Sequence, residues 1–337
     1  MDSVDRGAVD VAVVVVTHGS AALLPDFVAS LTDAATERSL RLVIVDSGSR
    51  DDTVATASVV AVHADILALD ANRGYAAGIN AGIDHVRASG GATAYLLVNP
   101  DTLPEPGAVD HLAAALAHPG VGIACPTLRD QMGHRQHSLR RAPTVASTWC
   151  EALLGGPVAD RLGLPAEMVT DDASYAVAGP TAWATGGFLV VSEQCSRSVG
   201  PWAEDLFLYE EEVDFCLRAK EAGWATWFVP EAAAVRSVGE ADEAPWRLAL
   251  IRRNRVRRMA AANPWSGVVV AAGLVVGDAV RALLGRPAAL AGLWAVVHRA
   301  SAAQIMARYL PSAAPPVVTP RSGTAATLVQ SAWKESA

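Results

Sequence analysis

Cysteine is scarce. The 337 residues hold four, Cys125, Cys150, Cys195 and Cys216, spaced far apart and without a CxxC pair. That excludes a zinc ribbon and points to reduced thiols in a cytoplasmic setting. Positive charge is outweighed in the stretch Met1 to Asp10, which carries Asp2, Asp5 and Asp10 against the single Arg6 before a valine run, so no signal peptide is expected there. No GxGxxG follows the first apolar run, and no GxxxxGK with Ser or Thr occurs anywhere. These absences argue against a dinucleotide oxidoreductase and a P-loop NTPase. Charged residues make up 18% and hydrophobic residues 51%, with 27 glycines, so a large core is easily formed and disorder is expected only at the ends.

What is present alternates. Val11 to Val16 is a continuous β-branched run ending in Thr17-His18-Gly19-Ser20, and Leu23, Leu24, Phe27, Val28 and Leu31 follow at helical spacing. Arg41 to Asp46 is a second buried strand ending in an acid, and Ser47 to Asp52 reads as a turn and helix start. Ile66 to Leu69 is a third strand. Asn72-Arg73-Gly74 then opens a helix with Gly74, Gly78 and Gly82 four apart. Interior helix glycines cost about 1 kcal/mol each relative to Ala, so this stripe predicts close approach to a neighbour or ligand. Tyr95 to Asp101 is a fourth strand, Gly107 to Ala117 a helix, and Gly122 to Cys125 a fifth strand. The alternation predicts an α/β fold with a doubly wound, Rossmann-like sheet.

The fourth strand anchors the functional reading. Pro100 cannot donate to a ladder, so the strand should end near Asn99. Asp101 then sits at the carboxyl end of a sheet strand, where open α/β sheets bind ligands. A carboxylate there suits a divalent cation held against a diphosphate; the plainer reading is an Asp closing an ordinary turn. Thr17 and Asp46 end two neighbouring strands in the same way. Further on, Thr185-Gly186-Gly187 precedes a strand over Phe188 to Val191, and Leu206 to Arg218 holds the densest acidic cluster, Glu210, Glu211, Glu212 and Asp214. Acids at a helix N-terminus compensate the macrodipole, but four beside aromatics exceed that need, and one of them could act as a general base.

Six segments, in order, resemble the inverting family 2 glycosyltransferases of GT-A fold, especially the bacterial rhamnosyltransferase-like branch. They are Val13 to Thr17, Val43 to Asp51, Asn72 to Ile83, Leu97-Val98-Asn99-Pro100-Asp101, Thr185-Gly186-Gly187 and Leu208 to Asp214. The resemblance spans about residues 11 to 258. It implies a mixed central sheet in which Thr17 and Asp46 contact base and ribose. Asn72, Gly74 and Gly78 would line the nucleotide-sugar pocket. Asp101 would be the surviving acid of a DxD-like metal motif for Mg²⁺ or Mn²⁺, with Asn99 at the other acid's position. Glu212 falls where the family carries the Asp that deprotonates the acceptor, with Glu211 and Asp214 as substitutes. Trp224 to Val229 would be the next strand, and Arg236, in the segment after it, stands where relatives place a His that completes the metal site; no histidine lies between His137 and His298. An arginine cannot ligate a cation but can pair bidentately with a diphosphate.

Between Pro245 and Leu310 there are ten arginines, no lysine and one acid, a net of +9 in a chain of −8. The uncharged run Met259 to Gly277 is a weak spanning candidate. Arg281 to Arg308 alternates charge with Leu, Trp and Val, an interfacial pattern, against the plainer reading of helices packed on the catalytic domain. The expected organisation is a nucleotide-sugar half over 1–125, an acceptor half over 126–245, basic amphipathic helices over 246–310 and a loose tail over 311–337. The expected function is transfer of a sugar, rhamnose or similar, from a dTDP- or UDP-sugar to a hydroxyl acceptor in polysaccharide or cell-wall synthesis. The acceptor would be polyprenyl-diphosphate-linked or a soluble small molecule; nucleic acid is not an expected partner. The expected location is peripheral, on an anionic membrane's cytoplasmic face. The rival is a degenerate, non-catalytic nucleotide-sugar-binding scaffold.

Overall fold

The structure, a computed structural model, describes residues 9–237 and 244–310 together with the short strand Thr327–Leu328. The acidic start up to residue 8, Val238-Gly239 beyond Arg236 and the rest of the expected loose tail lie outside the described residues. In chain order the strands are β1 (Val9–Thr17), β2 (Leu40–Asp46), β3 (Asp65–Ala68), β4 (Ala92–Val98), β5 (Thr102–Pro104), β6 (Val121–Arg129), β7 (Leu139–Arg140), β8 (Gly179–Thr181), β9 (Trp183–Ala184), β10 (Phe188–Ser192), β11 (Ala225–Arg236) and β12 (Thr327–Leu328). The helices are α1 (Leu24–Ser30), α2 (Thr53–Val60), α3 (Tyr75–Ala88), α4 (Ala108–Ala115), α5 (Val145–Leu154), α6 (Gly156–Arg161), α7 (Asp172–Ala176), α8 (Glu193–Val199), α9 (Glu211–Glu221), α10 (Pro245–Ala262), α11 (Pro264–Leu283), α12 (Ala289–Val297) and α13 (Ala302–Tyr309).

One sheet runs in the order β12-β3-β2-β1-β4-β10-β6-β11-β5, with β8 also paired to β11. Strands β3, β2, β1 and β4 are parallel, as the strand-helix alternation predicts. Helices cover both faces, which is why β1 is apolar at every position from Val11 to Val16. Val14 and Val16 join the core under α3, while Val11, Val13 and Val15 join the core under α1 and α4. Each such side chain, fully buried, contributes roughly 1.5–3 kcal/mol. The glycine stripe faces β1. A Cβ at Gly78 would stand 2.5 Å from Val16 Cγ1, and one at Gly82 2.4 Å from Val14 Cγ1. The stripe therefore brings α3 onto the sheet.

The two expected halves share one sheet: β6 runs across residue 125, and β10 inserts antiparallel between β4 and β6. Two expectations change. The strand expected to end at Val229 runs on to Arg236 after a bulge between Val229 and Ala233, where Pro230, Glu231 and Ala232 drop out of the pairing. Its last residues pair with β5, so that Arg236 lies opposite Thr102.

The second change concerns the basic helices. The run Met259 to Gly277 is broken in two: α10 ends at Ala262, and Asn263 caps α11 by accepting from the Trp265 amide at 2.9 Å. α11 is long and apolar enough to cross a membrane, but one face is committed to protein. A Cβ at Gly273 would meet Trp149 at 2.8 Å, and one at Gly277 the Ala152 carbonyl oxygen at 2.3 Å. Fully buried Asp278 pairs with Arg252 at 3.1 Å and Arg281 at 3.2 Å. Most of the Arg-rich cluster likewise turns inward. Arg255 pairs with Glu167 and Glu210, and Arg258 with Glu210, with little side-chain exposure, while Arg257 meets Asp205 at the surface. Arg255 and Arg258 thus bind the helical module to the catalytic domain and are not part of a lipid-facing patch.

Candidate active site

The carboxyl ends of β1, β2 and β4, the turn before β10, the end of β11 and the start of α9 converge on one cleft. Thr17 and Asp46 meet there directly, the Thr17 hydroxyl donating to Asp46 Oδ1 at 3.1 Å. Asp46 also accepts from the Ser49 amide at 2.9 Å and from the Ser49 hydroxyl. Both side chains are buried, so their work in this structure is to shape the Ser47 to Ser49 turn. Asn72 Oδ1 accepts from the Gly74 amide at 2.9 Å and from the Ser47 hydroxyl at 3.3 Å, tying that turn to the start of α3. Gly74 has φ +93, and a Cβ there would stand 2.2 Å from the Phe207 carbonyl oxygen. Gly74 and Gly78 thus allow close packing, against Phe207 and Val16 respectively.

Across the cleft, β10 lies beside β4. The Asn99 amide donates to the Gly187 carbonyl at 3.0 Å, and a Cβ at Gly187 would meet Asn99 Nδ2 at 3.0 Å. Gly186 is the pivot. Its amide donates to Glu212 Oε1 at 3.3 Å, and its carbonyl accepts from Arg236 Nη1 at 3.2 Å. Arg236 Nε is 3.9 Å from Asp101 Oδ2. The backbone of one residue therefore joins the candidate base to a guanidinium, which in turn neighbours the strand-end acid.

The three acids once open as bases now separate. Asp214 is bound to Arg218 at 2.8 Å, one helical turn on, and is removed from the cleft. Glu211 is buried, and burial and the charge of Glu212 push its pKa well up. Glu212 is also raised, first by burial and then by Glu210, while the Gly186 amide and Arg236 oppose the shift. Of the adjacent pair, Glu212 is the less strongly raised, because the Gly186 amide and Arg236 favour its charged form. Its Oε2 is shielded from solvent and has no hydrogen-bond partner among the described residues, an open acceptor in a dry site. Tyr75, at the first turn of α3, belongs to the same neighbourhood. Burial, then Glu211 and Glu212, raise its pKa, and Arg236 and Asp101 act on it as well. No spacing in the sequence marks Tyr75, or the Gly186 peptide, as part of the site.

The turn that delivers the acids is strained. Phe207 (φ 68), Tyr209 (φ 68) and Glu210 (φ 72) are non-glycine residues in the left-handed half of backbone space, a cost of roughly 1–3 kcal/mol each that the surroundings must offset. Glu210 is part of that offset. Arg255 Nε and Arg258 Nε reach its carboxylate at 2.7 and 2.8 Å. Burial alone would raise its pKa, but the two guanidinium groups hold it below the usual range.

Among the described residues no three His, Cys, Asp or Glu side chains gather around a metal-sized space. The protein's donor set is one carboxylate, Asp101, with a guanidinium where a second ligand would be. Mg²⁺ is often held by one or two carboxylates together with substrate phosphates. Asp101 thus fits as the protein anchor of a cation shared with a diphosphate, and not as part of a protein-only cage.

Residues 12–151 match the profile of Glycosyl transferase family 2. The N-acetylglucosaminyl-diphospho-decaprenol L-rhamnosyltransferases of Mycobacterium tuberculosis strains CDC 1551 / Oshkosh and H37Rv are each 31% identical over 228 residues. The match covers 65% of this chain and 73% of theirs. Among solved structures, the mannosyltransferase PcManGT from Pyrobaculum calidifontis, in complex with GDP-Man and Mn²⁺, superposes with a TM-score of 0.51 at 18% identity. That superposition covers 92% of this chain and 87% of that one. GalNAc-T7 with UDP, GalNAc and Mn²⁺ gives 0.50 at 11% identity over 74% of this chain and 48% of that one. These two likenesses speak to the fold. With the mixed sheet and cleft described above, they make the architecture GT-A, and the chain belongs to glycosyl transferase family 2 and is a glycosyltransferase.

Proposed function

We propose that the protein transfers a rhamnosyl or similar sugar from a dTDP- or UDP-activated donor to a hydroxyl of a polyprenyl-diphosphate-linked acceptor, by inverting single displacement, in cell-wall or polysaccharide synthesis. The observation that carries the reaction type is the Gly186 backbone, with Glu212 on its amide and Arg236 on its carbonyl. The acceptor O–H gives its proton to Glu212 as its oxygen bonds to the anomeric carbon. The carbon–phosphate oxygen bond breaks on the opposite face, and the nucleoside diphosphate leaves with the electron pair. Arg236 lies where it can pair with that developing charge. A divalent cation, Mg²⁺ or Mn²⁺, anchored by Asp101 would add further charge compensation at the diphosphate. Asn99 and Asn72 are the polar side chains we assign to the donor pocket, with Thr17 and Asp46 shaping its wall.

The acceptor class rests on the 31% identical rhamnosyltransferases, whose name specifies a decaprenol-linked substrate. A surface feature supports it. α11 turns a stripe outward along its length, with Trp265, Val268, Val269, Val276, Val280 and Leu283 exposed. These residues recur at helical spacing on the face opposite the glycine contacts. The stripe, with exposed Leu284 and Leu290 beside it, suits a helix lying in a membrane interface. We therefore propose peripheral attachment at the cytoplasmic face, through apolar insertion and not through the Arg-rich cluster.

The test is a donor and acceptor panel. dTDP-rhamnose and UDP-sugars are each offered with a short-chain polyprenyl-diphospho-N-acetylglucosamine, and the anomeric configuration of the product is read by NMR. Inverted glycoside on the lipid-linked acceptor is expected. A retained configuration excludes single displacement, and transfer only to soluble acceptors excludes the lipid reading.

A further inference from the structure

The helical module reaches the active site through one uncharged residue. Asn254, in the middle of α10, is fully buried. Its Nδ2 donates to the carbonyl oxygens of Leu206, Leu208 and Tyr209 at 2.8, 2.8 and 2.9 Å, and its Oδ1 accepts from Arg253 Nη1. Those three carbonyls belong to the turn that carries the positive-φ residues Phe207, Tyr209 and Glu210 and runs straight into Glu211 and Glu212. From the other side, the Tyr75 amide donates to the Phe207 carbonyl at 2.8 Å, and Gly74 leaves room for that approach.

We propose that Asn254 is a positioning residue for transfer: its carboxamide clasps the Leu206 to Tyr209 turn and so sets the place of Glu212. The choice of side chain is chemically narrow. Three carbonyl oxygens within four residues need a donor group, and Asn brings an NH₂ on a short stem, whose two hydrogens are shared among the three. An Asp would set a carboxylate against them, and a Gln would carry the donor one methylene too far. Buried carbonyls left unpaired are rare, and strained turns persist only where neighbours over-determine them. The charged residues beside Asn254 extend the clasp. Arg253 reaches the Asp205 carbonyl at 3.3 Å, Arg257 pairs with Asp205 at 2.6 Å, and Arg255 and Arg258 hold Glu210. The helical module is therefore part of the catalytic apparatus as well as the docking surface. This inference rests on Glu212 as base, so its test includes a readout independent of transfer.

The full chain is prepared as parent, Asn254→Ala and Asn254→Gln. Donor affinity is measured by calorimetry, kcat and KM by transfer assay, folding by circular dichroism, and amide exchange on a peptide spanning 205–213. A misplacement near 1 Å costs about 10²-fold in rate. Both variants should therefore lose about that much kcat per folded molecule, while KM and Kd for the donor stay within threefold and exchange at 206–212 accelerates. A purely structural residue would lower folded yield or melting temperature and leave kcat of the folded fraction unchanged. If Asn254→Ala does not fold, Asn254→Gln, which keeps both N–H donors, decides the matter. Parental kcat and parental exchange in the folded variants overturn the proposal. A parent that transfers nothing sinks the substrate reading instead, and exchange alone then judges the clasp: unchanged protection at 206–212 in either variant overturns it.

Discussion

Arg236 Nε stands 3.9 Å from Asp101 Oδ2, and the same guanidinium donates to the Gly186 carbonyl. A fixed cation thus shares the end of the cleft with the residue best suited to hold a mobile one. The bulge in β11 creates the pairing, because it carries the strand on to β5 and sets Arg236 opposite Thr102, the residue after Asp101.

The first prediction concerns metal dependence. An always-charged partner for the diphosphate should leave measurable UDP or dTDP binding in EDTA. Arg236→Ala should weaken that binding about tenfold or more, the scale of one lost charge-assisted hydrogen bond. Arg236→His should recover affinity only when Mg²⁺ or Mn²⁺ is added. Calorimetry on the three proteins with and without metal checks this; parental binding abolished by EDTA would assign Arg236 no part in holding the nucleotide.

A second prediction concerns Glu210. Removing its charge leaves Arg255 and Arg258 buried and underpaired, so Glu210→Gln should cost about 3–5 kcal/mol of unfolding free energy at pH 7. The pH dependence has a definite sign. The folded pKa lies below the ordinary value of 4.5, so the contribution is complete above 4.5 and is lost as pH falls through the depressed folded value. Urea melts of parent and variant should therefore differ most at neutral pH and converge in acid. A difference that grows in acid contradicts the assignment.

The third prediction concerns membrane attachment. Leu283 and Leu284 are 88% and 77% exposed at the end of the apolar stripe. Each buried leucine contributes roughly 1.5–3 kcal/mol, so Leu283→Ser with Leu284→Ser should weaken co-sedimentation with phosphatidylglycerol vesicles about tenfold or more. The soluble-phase melting temperature should stay unchanged. Equal sedimentation of parent and variant would leave the stripe without a role in docking.

Much of the nucleotide half was legible in the sequence for a simple reason. Runs such as Val11 to Val16 and Tyr95 to Val98 are buried on both faces, and the residues ending them fall at the carboxyl edge. The order of strands beyond β4 was not legible, since nothing local in Phe188 to Ser192 says that it returns antiparallel beside β4. The arginine cluster shows a similar limit. Counting charge finds a basic segment, but whether its partner is lipid or protein depends on Glu167 and Glu210, which lie 88 and 45 residues from Arg255 in sequence. Asn254 carries no signal of its own. A lone Asn in a basic helix acquires meaning only when folding brings the Leu206 to Tyr209 carbonyls to it.

The most direct test of the central claim is single-turnover transfer by parent and Glu212→Gln, each with donor saturating and the short-chain lipid-linked acceptor, across pH 4 to 8. Burial raises the Glu212 pKa above the ordinary 4.5. The parental rate should therefore climb with pH through a value higher than that and then level off, since the base must be ionised. Glu212→Gln should be slower by about 10²-fold or more, without the climb and with donor affinity within threefold of the parent. Equal rates in the two proteins, or a parental profile flat across that range, would contradict Glu212 as the base on which the account rests.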